Sequence, residues 1–341
     1  MSETEPESVP ANPASEVQNP TPTRTLRSTT MWALRYLIVL VPILLLIASL
    51  MGRQFWVCEL ICNFRGYILI ALLLTCPVLF LLKRKLLTVA WLGATLWATL
   101  GTASIFLPAS QPTAATEGAQ TIKLMSFNVL GNNLQHDNVI AEITRQDPDV
   151  LVVLEYANLW HPVLQSLNAT YPHRHEQPRW HGFGVAIFSK LPIVKKAVMH
   201  TAGSRFDFPL ALATVKIGDR ELRIAGVHLL SPRDPSRLEI RNLQMREIGQ
   251  YLSTETVPTV LVGDFNCAPW SPFLSDLMGR TGYRDSRQGF GYHATWHAKR
   301  FFFRVPIDHA FVSPEVYVHD RSVGQSAGSD HFPVTVEVSV P

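Results

Sequence analysis

Three long apolar segments in the first third of the chain constrain its fold more than any other feature. Residues 31–51 contain one charge, Arg35, whose long side chain can reach a membrane surface, and residues 66–82 and 86–107 contain none. A helix needs about 20 apolar residues to cross a membrane. We therefore expect three transmembrane helices at about 32–51, 66–82 and 86–107. A buried hairpin of a soluble core is the alternative for the second, shortest segment.

Basic residues beside these segments predict an orientation in the membrane. Arg24, Arg27 and Arg35 flank the first segment, and Lys83, Arg84 and Lys85 lie between the second and third. The loop between the first two segments contains only Arg53 and Arg65, offset by Glu59. Because basic flanks stay in the cytoplasm, the N-terminus and the 83–85 turn should be cytoplasmic. Three crossings then place the rest of the chain outside the cytoplasm, on a multi-pass protein of the inner cell membrane.

The remaining segments divide the chain further. Residues 1–30 are rich in Ser, Thr, Pro and Glu and predict a disordered cytoplasmic tail before a membrane region at 31–107. Small residues at 108–120 are typical of a flexible linker. Residues 121–341 have the length of a single domain.

The cysteines and the net charge say little about function. The four cysteines form no zinc-binding spacing. Cys58 and Cys62 fall in the outer loop, where a disulfide could survive, although two unpaired small apolar residues are an equally good interpretation. The net charge of +3 gives no bulk electrostatic argument for nucleic-acid binding. The sequence does not indicate an oligomeric state.

Residues 121–341 have the pattern of a layered sandwich. Two apolar runs, LVVLE and TVLVGD, are continuous, as in strands buried on both faces. Asp137–Arg145 and Ser236–Leu252 carry apolar residues at helical spacing. The expected strands are Ile122–Val129, Val150–Glu155, Gly184–Ser189, Leu222–Leu229, Thr259–Asp264, Ile307–Val312 and Val334–Val340. Strands inside and helices outside predict an α/β (α+β) sandwich.

Polar residues stand at the ends of several of these runs. They are Asn128, Glu155, His228, Asp264 and Asp308. A strand end is rigid and the loop beyond it is open to solvent, so such a position can present a side chain accurately. Five residues of acid, amide and imidazole type predict a shared pocket. The alternative is that each one merely caps a turn.

Two local motifs are more specific: Gly263-Asp264-Phe265-Asn266 after an apolar strand, and Ser329-Asp330-His331-Phe332-Pro333 before the last strand. With them the sequence resembles the endonuclease/exonuclease/phosphatase (DNase I-like) superfamily over about residues 121–341. Supporting elements are SFNV at 126–129, LE at 154–155, VHL at 227–229, TW at 295–296 and IDHAFVS at 307–313. The resemblance implies a four-layer sandwich, in which helices flank two β-sheets, and a metal-dependent phosphoester hydrolase.

The resemblance also implies residue roles. Glu155 would be the principal metal ligand, with Asn128 and Asp330 completing the site directly or through water. Such an oxygen-only site suits Mg²⁺ or Mn²⁺ better than zinc. The remaining roles fall on catalytic residues: Asp264 would orient or deprotonate the attacking water, Asn266 would bond the phosphoryl oxygens, His228 and His331 would contact the phosphate, and Asp308 would orient His331.

Departures from the family pattern bear on the substrate. Nucleases of this superfamily pair a glutamate with the histidine at position 228, and the matching stretch here, residues 180–184, has no acid. His309 stands where many members have an aromatic residue, and we expect it to be structural. Arg304 precedes Asp308 by four residues instead of standing beside it. These differences favour the phosphatase-like branches.

The expected function is therefore hydrolysis of a membrane-associated phosphate, such as a lipid-linked mono- or diphosphate. The short linker keeps the domain near the bilayer, and Phe301-Phe302-Phe303 between Arg300 and Arg304 fits a loop that touches lipid, with a buried strand as the alternative. A nuclease acting on DNA or RNA is the main alternative function. Its candidate basic stripe, Arg233, Arg237, Arg241 and Arg246, is interrupted by acids and also fits a solvated helix face. A non-catalytic binding module and a transporter are weaker alternatives.

Overall fold

The structure, a computed structural model, describes residues 23–81, 83–103, 105–112, 120–180, 182–201 and 208–340, without the side chains of 23–36. It divides into two compact units, Met1–Val41 and Pro42–Pro341. The first unit contains the beginning of helix α1, which starts at Thr23, inside the segment predicted to be a disordered tail. The second unit contains all the other elements and every contact described below.

Helices cover all three apolar segments. They are α1 (Thr23–Leu50), α3 (Arg65–Leu81) and α4 (Lys85–Ala103), and a short helix, α2 (Trp56–Cys62), lies between the first two segments. In the described part of the chain, α4 alone is long and apolar enough to cross a membrane. Helices α2 and α3 pass the same test as a pair bent by 71°, and Leu37–Leu50 is a shorter apolar helix. One or two crossings are thus supported by helix length, and three crossings remain a prediction.

Two six-stranded mixed sheets form the C-terminal part. Their strand orders are β11-β12-β1-β2-β4-β3 and β5-β6-β7-β8-β10-β9. The strands are β1 (Ile122–Asn128), β2 (Val150–Leu154), β3 (His173–Gln177), β4 (Val185–Ser189), β5 (Ile193–Thr201), β6 (Phe208–Ile217), β7 (Arg220–His228), β8 (Thr259–Asp264), β9 (Arg284–Asp285), β10 (Asp308–Val312), β11 (Tyr317–Val323) and β12 (Val334–Ser339). The helices are α5 (His136–Gln146), α6 (Trp160–Leu164), α7 (Pro235–Leu252) and α8 (Pro272–Thr281), with 3-10 turns at Gln165–Leu167 and Phe301–Phe303.

Three apolar layers hold these elements together. The middle layer joins the facing sides of the two sheets and contains all four alternating valines of the last predicted strand, Val334, Val336, Val338 and Val340. One outer layer packs α5 and α6 against the first sheet, and the other packs α7 and α8 against the second. Strands β2 and β8 are buried along their whole length, as their continuous apolar runs predict. Two β-sheets flanked by helices, the predicted sandwich, are confirmed.

Part of the predicted linker, and the residues just before it, contact the sandwich. The carbonyl oxygen of Ile105 accepts hydrogen bonds from Gly289 N (3.1 Å) and Gly291 N (3.0 Å). Gln111 exchanges two hydrogen bonds with the Val318 backbone, at 2.8 and 2.9 Å. Residues 105–112 therefore lie fixed on the sandwich, while residues 113–119 are outside the described residues.

Helix α2, which the sequence does not predict, also packs against the sandwich. Glu59 Oε1 accepts hydrogen bonds from Arg241 Nη2 at 2.7 Å and from Ser271 Oγ at 2.6 Å, and the Glu59–Arg241 pair is fully buried. Trp56 Nε1 donates to Pro232 O at 2.7 Å, and Asn63 Oδ1 accepts from Ala268 N at 2.8 Å. Arg241 is therefore buried in this contact and belongs neither to an exposed basic stripe nor to a solvated helix face. Cys58 and Cys62 are unpaired.

Candidate active site

The sheet topology brings the predicted polar residues to one end of the sandwich. Strands β1 and β2 are parallel, so Asn128 and Glu155 lie at one end of the first sheet. Strands β7 and β8 are also parallel and place His228 and Asp264 at one end of the second sheet. The hydrogen bond from Asn128 Nδ2 to Asp264 Oδ2 shows that these two ends adjoin. Strand β10 runs antiparallel to β8 and begins, instead of ending, at Asp308, whose register partner is Asp264. A cavity of about 730 Å³ opens at this edge. The residues named from the sequence that line it are Glu155, His228, Asp264, Asn266, Asp330 and His331.

Asp264 lies at the centre of this arrangement. Its Oδ2 lies 3.5 Å from His228 Nε2 and 3.7 Å from His331 Nε2. Its Oδ1 accepts a hydrogen bond from Asn266 N at 2.8 Å. Burial, followed by the negative charge of Asp308, raises the pKa of Asp264 to about 8. A carboxyl group with a raised pKa and imidazoles on both sides can accept a proton from water near neutral pH.

The backbone around Asp264 depends on two unusual conformations. Gly263 has φ +149°, and a Cβ there would overlap the carbonyl oxygen of Val227 on the parallel neighbour β7. Asn266 has φ +52°, in the left-handed region that few residues other than glycine adopt. Its Nδ2 donates to Leu229 O at 2.8 Å, which leaves the second amide N–H for another acceptor. The Gly-Asp-Phe-Asn motif thus shapes the turn as well as supplying side chains.

His331 and Asp308 form a buried ion pair. His331 Nδ1 lies 2.9 Å from Asp308 Oδ2, and both side chains are at most 5% exposed. Although burial alone would lower the pKa of His331, the charges of Asp308 and Asp264 raise it to about 10. Burial likewise opposes the charged form of Asp308, but His331 holds the pKa of that carboxyl below its usual value. His331 is therefore a cation that points its Nε2 at Asp264 and the cavity.

His228 has a different environment. Burial is the largest influence on it and lowers its pKa, so the ring is neutral near pH 7. The ring of Phe183 lies over it, with the centroids 5.0 Å apart. This apolar neighbour comes from the stretch in which related nucleases carry a glutamate. His181 in the same stretch lies outside the described residues.

Oxygen atoms suited to a hard metal ion also lie at this end of the sandwich. Glu155 has φ +58°, and its Oε2 accepts a hydrogen bond from Gly131 N at 2.8 Å. Asp330 Oδ2 accepts from Trp296 Nε1 at 2.9 Å, while its buried Oδ1 has no hydrogen-bond partner among the described residues. Asn128 donates from Nδ2 to Asp264 Oδ2 at 3.3 Å. Two carboxylates and an amide of this kind fit Mg²⁺ or Mn²⁺.

A second candidate metal set overlaps the catalytic residues. One ligand atom each from Asp264, Asp308 and His331 lies within 4.8 Å of the others. However, Asp308 Oδ2 and His331 Nδ1 already bond to each other at 2.9 Å. The carboxylates of Glu155 and Asp330 are the other candidate metal ligands at the cavity.

His309 lies apart from the cavity, in agreement with the expectation that it is structural. Its Nε2 lies 2.7 Å from Cys267 O, and its Nδ1 lies 3.1 Å from Arg287 Nη2. Burial and the nearby charge of Arg287 lower its pKa to about 3. The histidine is therefore neutral and fully buried within the second sheet.

Among the cavity residues that were not predicted as site residues, three bear on the chemistry. Trp296, from the Thr-Trp motif, bonds Asp330, and Arg233 and Arg237 line the same cavity as Asp264. Both arginines belonged to the predicted basic stripe, of which Arg241 is buried and Arg246 lies at a different surface cavity. The sequence therefore contained the basic stripe to which both arginines belong. Their spacing alone does not show which arginines of the stripe face the cavity.

Comparisons with known proteins give one family match and several similar folds. The profile of the Endonuclease/Exonuclease/phosphatase family matches residues 125–331. No curated protein matches the sequence. D. rerio TDP2, solved with a single-strand DNA product, is 17% identical with a TM-score of 0.57, over 65% of this chain and 100% of that one. An endonuclease/exonuclease/phosphatase family protein from Bacteroides thetaiotaomicron is 20% identical with a TM-score of 0.54, over 65% of this chain and 99% of that one. The human Nocturnin catalytic domain with bound sulfate is 18% identical with a TM-score of 0.51, over 65% of this chain and 95% of that one.

Proposed function

Since the chain belongs to the endonuclease/exonuclease/phosphatase family and is a metal-dependent phosphoester hydrolase, we propose that it acts on a membrane-associated phosphate outside the cytoplasm. The buried chain of contacts from Asp308 through His331 to Asp264 carries the chemical part of this proposal. These contacts place the cationic ring of His331, held by Asp308, beside the Asp264 carboxyl group, which accepts protons near neutral pH. The membrane part is supported by the apolar helices and by their contacts with the sandwich.

Each catalytic side chain has a role that follows from its surroundings. Asp264 orients the attacking water and accepts its proton, because its pKa is raised and Asn266 N fixes one of its oxygens. His331, held as a cation by Asp308, offsets the charge that develops on the phosphoryl oxygens. His228, as a neutral ring, donates a hydrogen bond to the same group. The second N–H of Asn266 supplies another donor.

We propose Mg²⁺ as the metal, held by Glu155 and Asp330, with Asn128 contributing directly or through water. When bound, the ion would neutralise charge on the phosphoryl group. Trp296 holds Asp330 by its Oδ2 and leaves Oδ1 free to face the ion. Gly131 N likewise fixes one oxygen of Glu155. These contacts orient both carboxylates before any ligand arrives.

The proposed topology has three membrane crossings with the N-terminus inside. It rests on the basic residues before α1 and between α3 and α4. Reporter fusions after residue 120 should be active outside the cytoplasm. Activity restricted to the cytoplasm would overturn this topology and leave the hydrolase assignment intact.

A membrane-associated substrate is proposed because the catalytic cavity lies beside the membrane-type helices. Trp56 on α2 bonds Pro232, whose neighbours Ser231 and Arg233 line the cavity. Phe301, Phe302 and Phe303 form an exposed turn, 53–78% accessible, which argues against the buried-strand alternative. Tyr67 on α3 donates to the carbonyl oxygen of Phe301 at 3.2 Å, so this turn adjoins the same helices.

The test uses the full chain in lipid nanodiscs with Mg²⁺ or with a chelator. Polyprenyl diphosphate, a phospholipid headgroup series and plasmid DNA are offered under identical salt, with the Asp264→Asn variant as the inactive control. Metal-dependent phosphate release from a lipid substrate is expected. Plasmid nicking without lipid-phosphate release would favour the nuclease alternative, for which the two cavity arginines and the DNA-bound structure of D. rerio TDP2 are the supporting observations.

A further inference from the structure

An apolar groove leads away from the catalytic cavity between the helices and the sandwich. Its volume is about 270 Å³, and its apolar lining includes Leu60, Phe64, Pro232, Val305 and Ile307. Ser231, Arg233, Asn266 and Trp296 line both the groove and the catalytic cavity, so the two spaces adjoin. A molecule in the groove would therefore lie next to the catalytic cavity.

The two walls of the groove come from different parts of the chain. Leu60 is on α2 and Phe64 follows it, at the bend before α3, whereas Val305 and Ile307 precede strand β10. The helix wall is fixed by the buried Glu59–Arg241 pair and by the hydrogen bond from Ala268 N to Asn63. The apolar lining is thus a built feature of the folded chain, since the residues on either side of it are anchored.

The ends of the groove differ in chemistry. At the catalytic end, Arg233 supplies a positive charge and Asn266 supplies amide donors, which suit a phosphate. Along the rest of the groove the side chains are mainly aliphatic and aromatic, which suits hydrocarbon. A ligand complementary to both ends has a phosphate joined directly to an apolar chain. The volume is near the lower limit of about 300 Å³ for small-molecule sites, so one chain segment fits better than two.

We propose that this groove binds the hydrocarbon segment next to the phosphate of an amphiphilic phosphoester while the phosphate lies at Asn266. The inference rests on the proposed phosphoester hydrolysis and adds to it the site that selects the substrate. The occupant is a single alkyl or prenyl chain, because the groove adjoins the catalytic cavity and borders α2 and α3, a helix pair with the composition of a membrane span.

The test compares alkyl para-nitrophenyl phosphates with methyl, butyl and octyl chains, using the full chain in phosphatidylcholine nanodiscs. In each reaction a water oxygen bonds to phosphorus, the bond to the para-nitrophenyl oxygen breaks, and para-nitrophenol and the alkyl phosphate leave. Each buried methylene should raise kcat/KM by up to about fourfold, so octyl should exceed methyl by at least tenfold. Equal kcat/KM for the methyl and octyl esters would contradict the proposal that the groove binds the alkyl chain, and it would leave the proposed phosphoester hydrolysis intact.

Variants at Leu60 separate the groove from partition into lipid. Leu60→Gln should lower the ratio of octyl to methyl kcat/KM to near one, whereas Leu60→Met, similar in volume, should retain the octyl advantage. Val194→Gln is the matched control, because Val194 is an apolar residue on β5, half exposed and away from the groove. Equal loss on methyl and octyl esters in Leu60→Gln would contradict the proposal.

Binding provides a readout that does not need turnover. Octylphosphonate should bind the wild type and Asp264→Asn at least tenfold more tightly than methylphosphonate in calorimetry, and Leu60→Gln should abolish this difference. If no ester is hydrolysed but the difference in binding is present, the groove stands and the proposed activity fails. If octylphosphonate and methylphosphonate bind equally, the groove is wrong.

Discussion

Asp264 and His331 set opposite requirements on pH. Burial and the charge of Asp308 raise the pKa of Asp264, so the fraction of its base form increases only as pH rises through about 8. The ion pair with Asp308 raises the pKa of His331 despite burial, so the cation is lost only as pH rises through about 10. The site therefore works best when Asp264 has lost its proton and His331 has kept its own.

We accordingly predict a bell-shaped dependence of kcat/KM on pH, with its optimum on the alkaline side of neutrality. The rising limb should lie well above the range of an ordinary aspartate, and Asp308→Asn should move the falling limb to lower pH, because His331 loses the partner that stabilises its charge. Rates with a soluble phosphoester at saturating Mg²⁺ measure this. A profile that is flat from pH 5 to pH 9 would contradict the assignment of Asp264 as the base.

Single substitutions test the remaining roles. Asp264→Asn and His331→Ala should each lower kcat by about 10²–10³ or more, while the far-ultraviolet circular dichroism and the melting temperature stay close to those of the wild type. Glu155→Gln should raise the Mg²⁺ concentration needed for half-maximal rate. Near wild-type rates in all three variants would show that the site has been assigned wrongly.

The residues of the site could largely be predicted from the sequence, for a physical reason. Catalytic acids and amides at strand ends keep their local signature, because the strand before them must be apolar and the turn after them must be tight, as at Gly263-Asp264. Arg237 has no such signature, since its place in the cavity depends on how helix α7 packs. Trp296 acts through Asp330, more than thirty residues away, and only the fold brings them together.

At the scale of elements, the sequence predicts seven strands, all of them inside the two sheets, and misses the other five. Strands β3, β9 and β11 are polar or short edge elements, and pairing with a neighbour defines them more than their own residues do. Strands β5 and β6 form a long hairpin in which β6 contains Pro209. Pairing within the sheet, from β5 through β6 to β7, defines these segments.

The packing of α2 on the sandwich leads to a prediction of its own. Glu59→Gln leaves Arg241 as a buried charge without a counterion, which typically costs about 3–5 kcal/mol. Since Arg241 Nη1 also donates to Asn266 O at 3.3 Å, activity should fall together with stability. Thermal unfolding in nanodiscs and the rate with a soluble ester measure the two effects.

A matched control comes from a second ion pair across the same contact. Arg53 bonds Asp276 at 2.7 Å, but both side chains are about half exposed. Asp276→Asn should therefore cost no more than about 1 kcal/mol and leave the rate unchanged. If Glu59→Gln were as mild as Asp276→Asn, the buried pair would not be what holds α2 in place.

At the scale of the whole molecule, the exposed turn Phe301–Phe303 should bring the catalytic edge to lipid. Phe302 is 78% exposed, and inserting one such ring into a bilayer contributes about 1.5–3 kcal/mol. Phe302→Ser should therefore lower hydrolysis of vesicle substrates about tenfold or more and leave a small soluble phosphoester unaffected. Val194→Ser, at an apolar site that is 50% exposed on another face, serves as the control. Equal loss on both substrates would remove this turn from the lipid contact.

The contact between Glu59 and Arg241 also has a consequence for the order in which the protein is made. The two residues are 182 positions apart. At a synthesis rate of about 5–20 residues per second, Glu59 leaves the ribosome on the order of ten seconds or more before its partner exists. During that interval Glu59 has no Arg241 to pair with, so this contact forms only after the later part of the sandwich has been made. A chain whose α2 does not reach this contact would lack one wall of the groove beside its catalytic cavity.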